Sequence, residues 1–532
     1  MKKIQNLLSV LLLIGLTAQS THPSGWLECF TKQLSKASNA FITQQTKRIA
    51  KYAAGALTAG IALQTYKQYI EPKLYKLPNL VPADAQNVSQ ILGEAIAQAV
   101  KNNPIFTSEN PFFWGVSSAC SQNESQSGNS TVSTKYIERE DIQARRSSEW
   151  IPLENGCLSE QHWQDDNLKV QQLGCKMYRF SVDWSRIEPT EGTYNETELQ
   201  RYAHQCDDLI TKGITPMICF HHYSDPIWFM DNGGFEDSEN AQRFVQFVNA
   251  VIKKLATVGV RYWLVMNQPL AYINKGYVVA MHAPFKKKLL NNPWKAQVQQ
   301  NIFASHEAIF ETIKSKNESI THKNHKHKVG ISHQITPMRA NRYWSIIDPL
   351  IGFIADQSYN GNFLKFASSH KNDFDFMALS FYSPCRFKLG AQQSFWDTER
   401  VGNETDDSGR IIDARGFYDA IVRVAKSIGK EKPIIFIETG LDADEAKKVG
   451  TERRINYFNK TVSALAQAIR DGYNVQGFCV WTLMDNYEWG KGYTAHFGLY
   501  TRRTGADNMG ELKPGGTYYQ NIIEAYNQSI QT

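Results

Sequence analysis

A chain of 532 residues is too long for a typical single core, yet parallel α/β barrels run well past 250 residues as one domain, so one large domain with an appendage is expected. The formal net charge of +6 is small for that length, and the basic clusters "FKKKLL" and "THKNHKHK" sit in polar, loop-like sequence with no nucleic-acid-binding motif beside them, which excludes nucleic acid as a partner. Aromatic residues make up 12% of the chain, which suits a cleft that stacks flat ligands as well as a large core.

Read in chain order, "MKKIQNLLSVLLLIGLTAQS" places Lys2 and Lys3 before an apolar run from Leu7 to Ala18, then Ala18 and Ser20 in a small-residue cleavage pattern. This is the layout of an export signal over residues 1–20, and it predicts an exported or membrane-associated protein. Residues 21–104 read as a helix-prone extension rich in Ala, Gln and Lys. Within it, "YAAGALTAGIALQTY", from Tyr52 to Tyr66, is short for a spanning helix, so a small-residue helix of an ordered appendage is favoured over a membrane-associated one. The eight cysteines show no paired spacing, and Cys219 in "PMICF" and Cys479 in "GFCVW" read as buried free thiols, a composition closer to a reducing compartment than an oxidising one. His322, His325 and His327 lack Cys or carboxylate neighbours, so neither a metal nor a cofactor is expected.

From about residue 105 to the end, apolar strand-like runs alternate with amphipathic helical stretches. The runs are "FFWGVSS", "CKMYRFSV", "TPMICFHH", "RYWLVMN", "KVGIS", "DFMALSFY", "PIIFIE" and "VQGFCVW". Strand–helix alternation of this kind predicts a parallel sheet, and eight repeats predict an α/β fold closed into a single (β/α)8 TIM barrel with a helical N-terminal extension. Chemistry in such a barrel gathers where the strands end. The polar and aromatic groups there are Gln122 past the first strand, Arg179 in the second, His222 after the third, and Asn267 with Gln268 after the fourth. Ser380 and Tyr382 end the sixth, Glu438 the seventh and Trp481 the eighth. Singly, Arg179 reads as well as a buried ion pair, His222 as a core histidine and Trp481 as packing. Together they supply hydrogen-bonding groups, a carboxylate and an aromatic platform, the ingredients of a sugar site.

The motifs "FFWGVSSACSQNES", "YRFSVDWSRIEPTEGTYNE", "CFHHYSDPIWF", "YWLVMNQP", "DFDFMALSFYSP", "PIIFIETG" and "GFCVWTLMDNYEWGKGYTAHFGLY", in this order and spacing, resemble those of the glycoside hydrolase family 1 β-glycosidases. The resemblance runs from Phe112 to about Gly510 and does not reach residues 1–104. It implies a β-linked sugar substrate or glycan cleaved with retention of configuration, Glu438 as the nucleophile, and Arg179 and Tyr382 as groups that hold its carboxylate. It also implies that Gln122, His222, Asn267, Glu488 and Trp489 bind sugar hydroxyls, and that Trp481 forms the floor. Glu488 stands where relatives that take 6-phosphoglycosides carry Ser, which points to non-phosphorylated sugars. Tyr223 and Ser380 depart from the commoner Trp and Asn of the family and bear on sugar preference.

The family's fourth strand ends in Asn-Glu-Pro, with that Glu as general acid and base, whereas this chain has Gln268. An amide neither gives nor takes the proton. The plant myrosinases, a branch of the same family, also carry Gln there and cleave thioglucosides whose leaving groups are stable anions, with an external base for the second step. Two functions are therefore expected as alternatives: a retaining β-glycosidase suited to activated leaving groups or an external base, or a catalytically impaired sugar-binding pseudoenzyme. The retained Glu438 favours the first.

Overall fold

The computed structural model describes residues 87–125, 156–278, 294–317, 326–340, 347–387, 405–505 and 507–532, together with Pro284 and Lys286. The signal-like segment 1–20 and the apolar stretch Tyr52–Tyr66 lie outside the described residues. Among those described, no helix is long and apolar enough to cross a membrane.

Among the described residues ten strands occur: β1 (Phe113–Ser117), β2 (Met177–Ser181), β3 (Thr215–His221), β4 (Tyr262–Met266), β5 (Lys328–Gln334), β6 (Met338–Ala340), β7 (Phe376–Phe381), β8 (Cys385–Phe387), β9 (Ile434–Thr439) and β10 (Val475–Trp481). Eight of them close a barrel in the order β1-β10-β9-β7-β5-β4-β3-β2, and every pairing in it is parallel. These are the eight apolar runs of the sequence. The small β6–β8 pair stands apart from the barrel.

The longer helices among the described residues are α1 (Val88–Asn102), α2 (Trp163–Gln172), α3 (Glu196–Thr211), α4 (Ser238–Leu255), α5 (Trp294–Asn317), α6 (Ile347–Asp356), α7 (Asn362–Ser369), α8 (Ala414–Ile428), α9 (Lys448–Arg470) and α10 (Pro514–Gln531). Several start where an Asx side chain takes up free backbone N–H groups, as Asn195 does for α3, Asp237 for α4 and Asp413 for α8. The return turns into β2 and β4 pass through Gly174 and Gly259, both in the left-handed region that a side chain resists.

Helix α1 falls within the 21–104 extension, yet it is packed on the barrel. Leu92, Ile96, Ala97, Ala99 and Val100 are buried in the same core as the strands and helices. Gly93 lets α1 close on α10, because a Cβ there would collide with the carbonyl of Ile522. Phe112, Trp114, Tyr519 and Tyr526 form an edge-to-face cluster joining β1 to α10.

Inside the barrel, Phe113, Met177, Met217, Cys219, Tyr262, Leu264, Phe376, Ala378, Ile435, Ile437 and Cys479 pack into one plug. This apolar filling makes the barrel a core rather than a pore and gives the residues above it a rigid base. All seven described cysteines are free and buried. Of the three histidines in the basic tract, His327 is described; its Nδ1 accepts the Trp263 indole N–H at 3.0 Å, and burial pushes its pKa down to about 4. It is a neutral packing group.

Candidate active site

Above the plug, the ends of the strands surround a cleft of about 770 Å³ counted to its open mouth. Gln122, His222, Asn267, Gln268, Tyr382, Glu438, Trp481, Glu488 and Trp489 line it, so nine of the ten site residues drawn from the sequence meet there. The tenth, Arg179, is fully buried and reaches the same place by hydrogen bonds.

Glu438 owes its position to an irregularity in β9. Ile435 and Ile437 both belong to the interior plug, so strict alternation would turn Glu438 outward with Phe436, toward the helices. Against β7, Leu379 pairs with Phe436 but Ser380 pairs with Glu438; against β10, Phe478 pairs with Phe436 but Val480 pairs with Thr439. One residue is thus skipped relative to both neighbours, and this bulge turns the carboxylate into the barrel mouth.

There Oε1 of Glu438 meets Nη1 of Arg179 at 3.2 Å, while Oε2 accepts the Tyr382 hydroxyl at 2.9 Å and the Gln268 amide Nε2 at 2.9 Å. Arg179 also donates through Nη2 to Asn267 Oδ1 at 2.9 Å, and Asn267 Nδ2 donates to His222 Nε2 at 3.1 Å. A single chain of hydrogen bonds therefore runs from Tyr382 through Glu438, Arg179 and Asn267 to His222. Burial raises the pKa of Glu438 above the ordinary carboxylate range, with Arg179 and the Tyr382 hydroxyl opposing that rise.

Across the cleft, Oε2 of Glu488 accepts from Gln122 Nε2 at 3.1 Å and from Trp481 Nε1 at 3.4 Å. The buried Oε1 of Gln122 has no protein partner and is left to receive a donor from a ligand. His222 stacks on Trp481 with ring centroids 5.8 Å apart, giving a flat aromatic and imidazole surface. Burial raises the pKa of Glu488 as well, opposed first by Arg410.

Among the described residues four non-glycine residues have positive φ, and three of them line this cleft: Tyr223 (65°), Gln268 (42°) and Trp489 (49°). Left-handed backbone at bulky residues is uncommon and gathers at functional sites. At Gln268 it is held by the backbone N–H, which donates to Ser332 Oγ at 2.9 Å, and by the carbonyl, which accepts Tyr223 OH at 3.5 Å. Tyr223 is buried and packs on Tyr272 and Trp489.

Lys275, Gln334, Arg410 and Lys491 also line the cleft, and the sequence reading did not single them out. Gln334 could have been found by the strand-end rule, because β5 runs two residues beyond the "KVGIS" taken as the strand. Lys491 lies in "YEWGKGY", where the Glu-Trp pair drew the attention. Lys275 and Arg410 sit in segments without any strand-end signal.

A closed parallel barrel with a supported carboxylate, polar groups and an aromatic platform at its C-terminal mouth is the framework of a carbohydrate-processing enzyme. The comparisons make this specific: the chain belongs to Glycosyl hydrolase family 1, whose pattern matches residues 106–347 and 354–528, and it is a hydrolase of O-glycosides. It is 27% identical over 399 residues to a 1,4-β-D-glucan glucohydrolase of Thermotoga neapolitana, covering 69% of this chain and 87% of that protein. It is 25% identical over 397 residues to a 6-phospho-β-galactosidase of Clostridium acetobutylicum, covering 64% of this chain and 82% of that one. The fold matches the GH1 β-glucosidase of Exiguobacterium antarcticum B7 with a TM-score of 0.68 at 22% identity, over 80% of this chain and 99% of that chain.

Proposed function

We infer that the chain is a retaining β-glycosidase for non-phosphorylated β-glycosides, with Glu438 as nucleophile and Gln268 in the place where the family carries its acid and base. The observation that carries this reading is the Glu438 carboxylate, turned into the cleft by the β9 bulge and held on one oxygen by Arg179 and on the other by Tyr382. A site that only bound sugar would need the Gln122, Glu488 and Trp481 wall but not a carboxylate aimed and charged in this way. Glu488 repels a sugar phosphate; of the three cleft cations, Arg410 and Lys491 already face Asp406 and Asp442 at 3.9 and 3.1 Å, and the third, Lys275, lies in the field of Glu488 and Glu438. For these reasons the unphosphorylated glycoside is proposed although a 6-phospho-β-galactosidase is among the relatives.

Gln268 sets the preference among aglycones. General acid–base help contributes about 10²- to 10⁴-fold, roughly 3 to 5.5 kcal/mol of barrier, and an amide supplies none of it. A leaving group that departs as a stable anion does not require the proton, so activated glycosides are the better substrates. A 2-fluoro dinitrophenyl β-glucoside is expected to label Glu438 stoichiometrically, seen by mass spectrometry of the intact chain and its peptides. Azide or ascorbate is expected to speed turnover of dinitrophenyl β-glucoside by serving as nucleophile or base in the second step. No label under conditions that fully label an active relative would remove the glycosidase reading in favour of the sugar-binding one.

For residues 1–20 we propose cleavage near Ser20 during export, checked by N-terminal sequencing of protein recovered from the producing cells. Recovery of uncleaved, full-length protein from the cytosolic fraction would discard it.

A further inference from the structure

We propose that Lys275 is the proton donor and acceptor of this active site, acting on the aglycone oxygen in place of Gln268. The inference rests on the glycosidase reading of Glu438 and adds the group that lets unactivated glycosides react.

Lys275 lies two turns beyond Gln268. The strand end passes into the short helix Pro269–Tyr272 and then into the wider turn Ile273–Val278, which brings the Lys275 side chain back to the cleft wall shared with Gln268 and Glu438. Among the described residues it makes no hydrogen bond or ion pair, although it is half-buried. The other proton-bearing groups of the cleft are engaged. Tyr382 donates to the nucleophile, and Tyr223 donates to the Gln268 carbonyl. Lys491 is tied to Asp442 and Ser408. The Arg410 guanidinium is taken up over the rings of Tyr382 and Phe497. His222 receives the Asn267 amide on Nε2, and Glu488 accepts two hydrogen bonds on one oxygen. Lys275 is the group left with a transferable proton and no other task.

Its surroundings suit that task. Burial lowers the Lys275 pKa from the ordinary lysine value, Glu488 and Glu438 oppose the drop, and Arg410 adds to it. An ammonium whose pKa is brought toward neutrality releases its proton more readily and remains able to take one back.

In the first step an oxygen of Glu438 bonds to C1 of the sugar and the C1–O bond to the aglycone breaks, its electron pair going to the aglycone oxygen. The Lys275 ammonium passes a proton to that oxygen and becomes a neutral amine. In the second step water bonds to C1, the amine takes the water proton, and the C1–O bond to Glu438 breaks with its pair returning to the carboxylate.

The test measures kcat/KM against pH for dinitrophenyl and phenyl β-glucosides with the full chain and with Lys275→Met and Lys275→Arg. Removal of the proton donor is expected to lower the rate for the phenyl glucoside about 10²-fold more than for the dinitrophenyl glucoside. Lys275→Arg keeps the charge but not the transferable proton, and is expected to show the same selective loss. In the unaltered chain the phenyl glucoside profile should fall on its basic side, as the ammonium loses its proton, with no matching fall for the dinitrophenyl glucoside. Equal losses on both substrates, restoration by Arg, or identical basic limbs for the two substrates in the unaltered chain would each overturn the assignment. The last readout needs no variant. Labelling of Glu438 by the 2-fluoro sugar separates the two readings: label without substrate selectivity removes Lys275 alone, and absence of label removes the glycosidase reading beneath it.

Discussion

Replacing Gln268 with Glu is expected to raise kcat/KM for alkyl and disaccharide β-glycosides by about 10²- to 10⁴-fold, and to change the dinitrophenyl glycoside far less in the bond-breaking step. Retaining enzymes hold their two carboxyls about 5 to 5.5 Å apart. Here the Gln268 amide nitrogen touches Glu438 Oε2 at 2.9 Å, a contact an amide can make because it donates a hydrogen bond without carrying charge. A Glu in the same rotamer would set two carboxylates against each other, so one of them must hold a proton at neutral pH. Arg179 and Tyr382 keep the charge on Glu438, which leaves the proton on the new side chain, where the leaving oxygen can receive it. Once the glycosyl ester forms, the charge on Glu438 is gone and the new carboxyl can ionise to serve as base. If Lys275 supplies the proton in the unaltered chain, the gain should be larger in the Lys275→Met background than in the native one. Steady-state kinetics on methyl and phenyl β-glucoside for the two single variants and the double variant measure this coupling. A folded, Glu438-labelling Gln268→Glu variant with no gain on any substrate would show that position 268 does not face the leaving group.

Why the sequence carried the fold so far, and the site less completely, follows from where each kind of information resides. Barrel strands are apolar on both faces and short, so they stand out as runs, and all eight were visible as such. The residues at their ends could then be gathered by one geometric rule, which is why Gln122, His222, Asn267, Gln268, Tyr382, Glu438 and Trp481 were found together. That rule does not foresee the β9 bulge, and alternation alone would have turned Glu438 away from the cleft. The motif resemblance supplied what periodicity could not. Lys275 shows the opposite limit, since it follows the strand end by several residues, in a helix and a wide turn whose path back to the cleft depends on tertiary packing. Helix α1 shows another: its buried side, from Leu92 to Val100, is rich in small and aliphatic residues and carries no motif, so its tie to the barrel shows only in its packing on α10 and α9.

Arg179→Met is expected to cost about 3 to 5 kcal/mol of stability at neutral pH, seen as a lower urea midpoint, because it leaves the buried Glu438 charge without its partner. The side chain of Arg179 is fully buried and that of Glu438 nearly so, at 0% and 4% exposure, so solvent does little to screen the loss. The sign of the pH dependence follows from the causes acting on Glu438. Burial raises its folded pKa and Arg179 is the largest opposing influence, so the variant should carry a still higher folded pKa. Between the unfolded value, about 4.3, and that raised folded value, the folded state binds a proton that the unfolded state has released. Stability of the variant should therefore fall as pH rises through this window, and the deficit relative to the native chain should shrink on acidification, where Glu438 is neutral in both forms. Activity should move the same way for a different reason: the nucleophile must be ionised, so the acid limb of kcat/KM for dinitrophenyl β-glucoside should shift to higher pH. Loss of the Asn267 contact removes a second support, since Arg179 Nη2 fixes the Asn267 carbonyl oxygen and through it the Asn267–His222 pair on the sugar side. A rise in KM beyond the change in kcat is the signature of that second effect. A variant with native stability at neutral pH and an unmoved acid limb would mean that the Arg179–Glu438 pair neither holds the charge nor tunes it, and the reading of Glu438 as the nucleophile would lose its electrostatic basis.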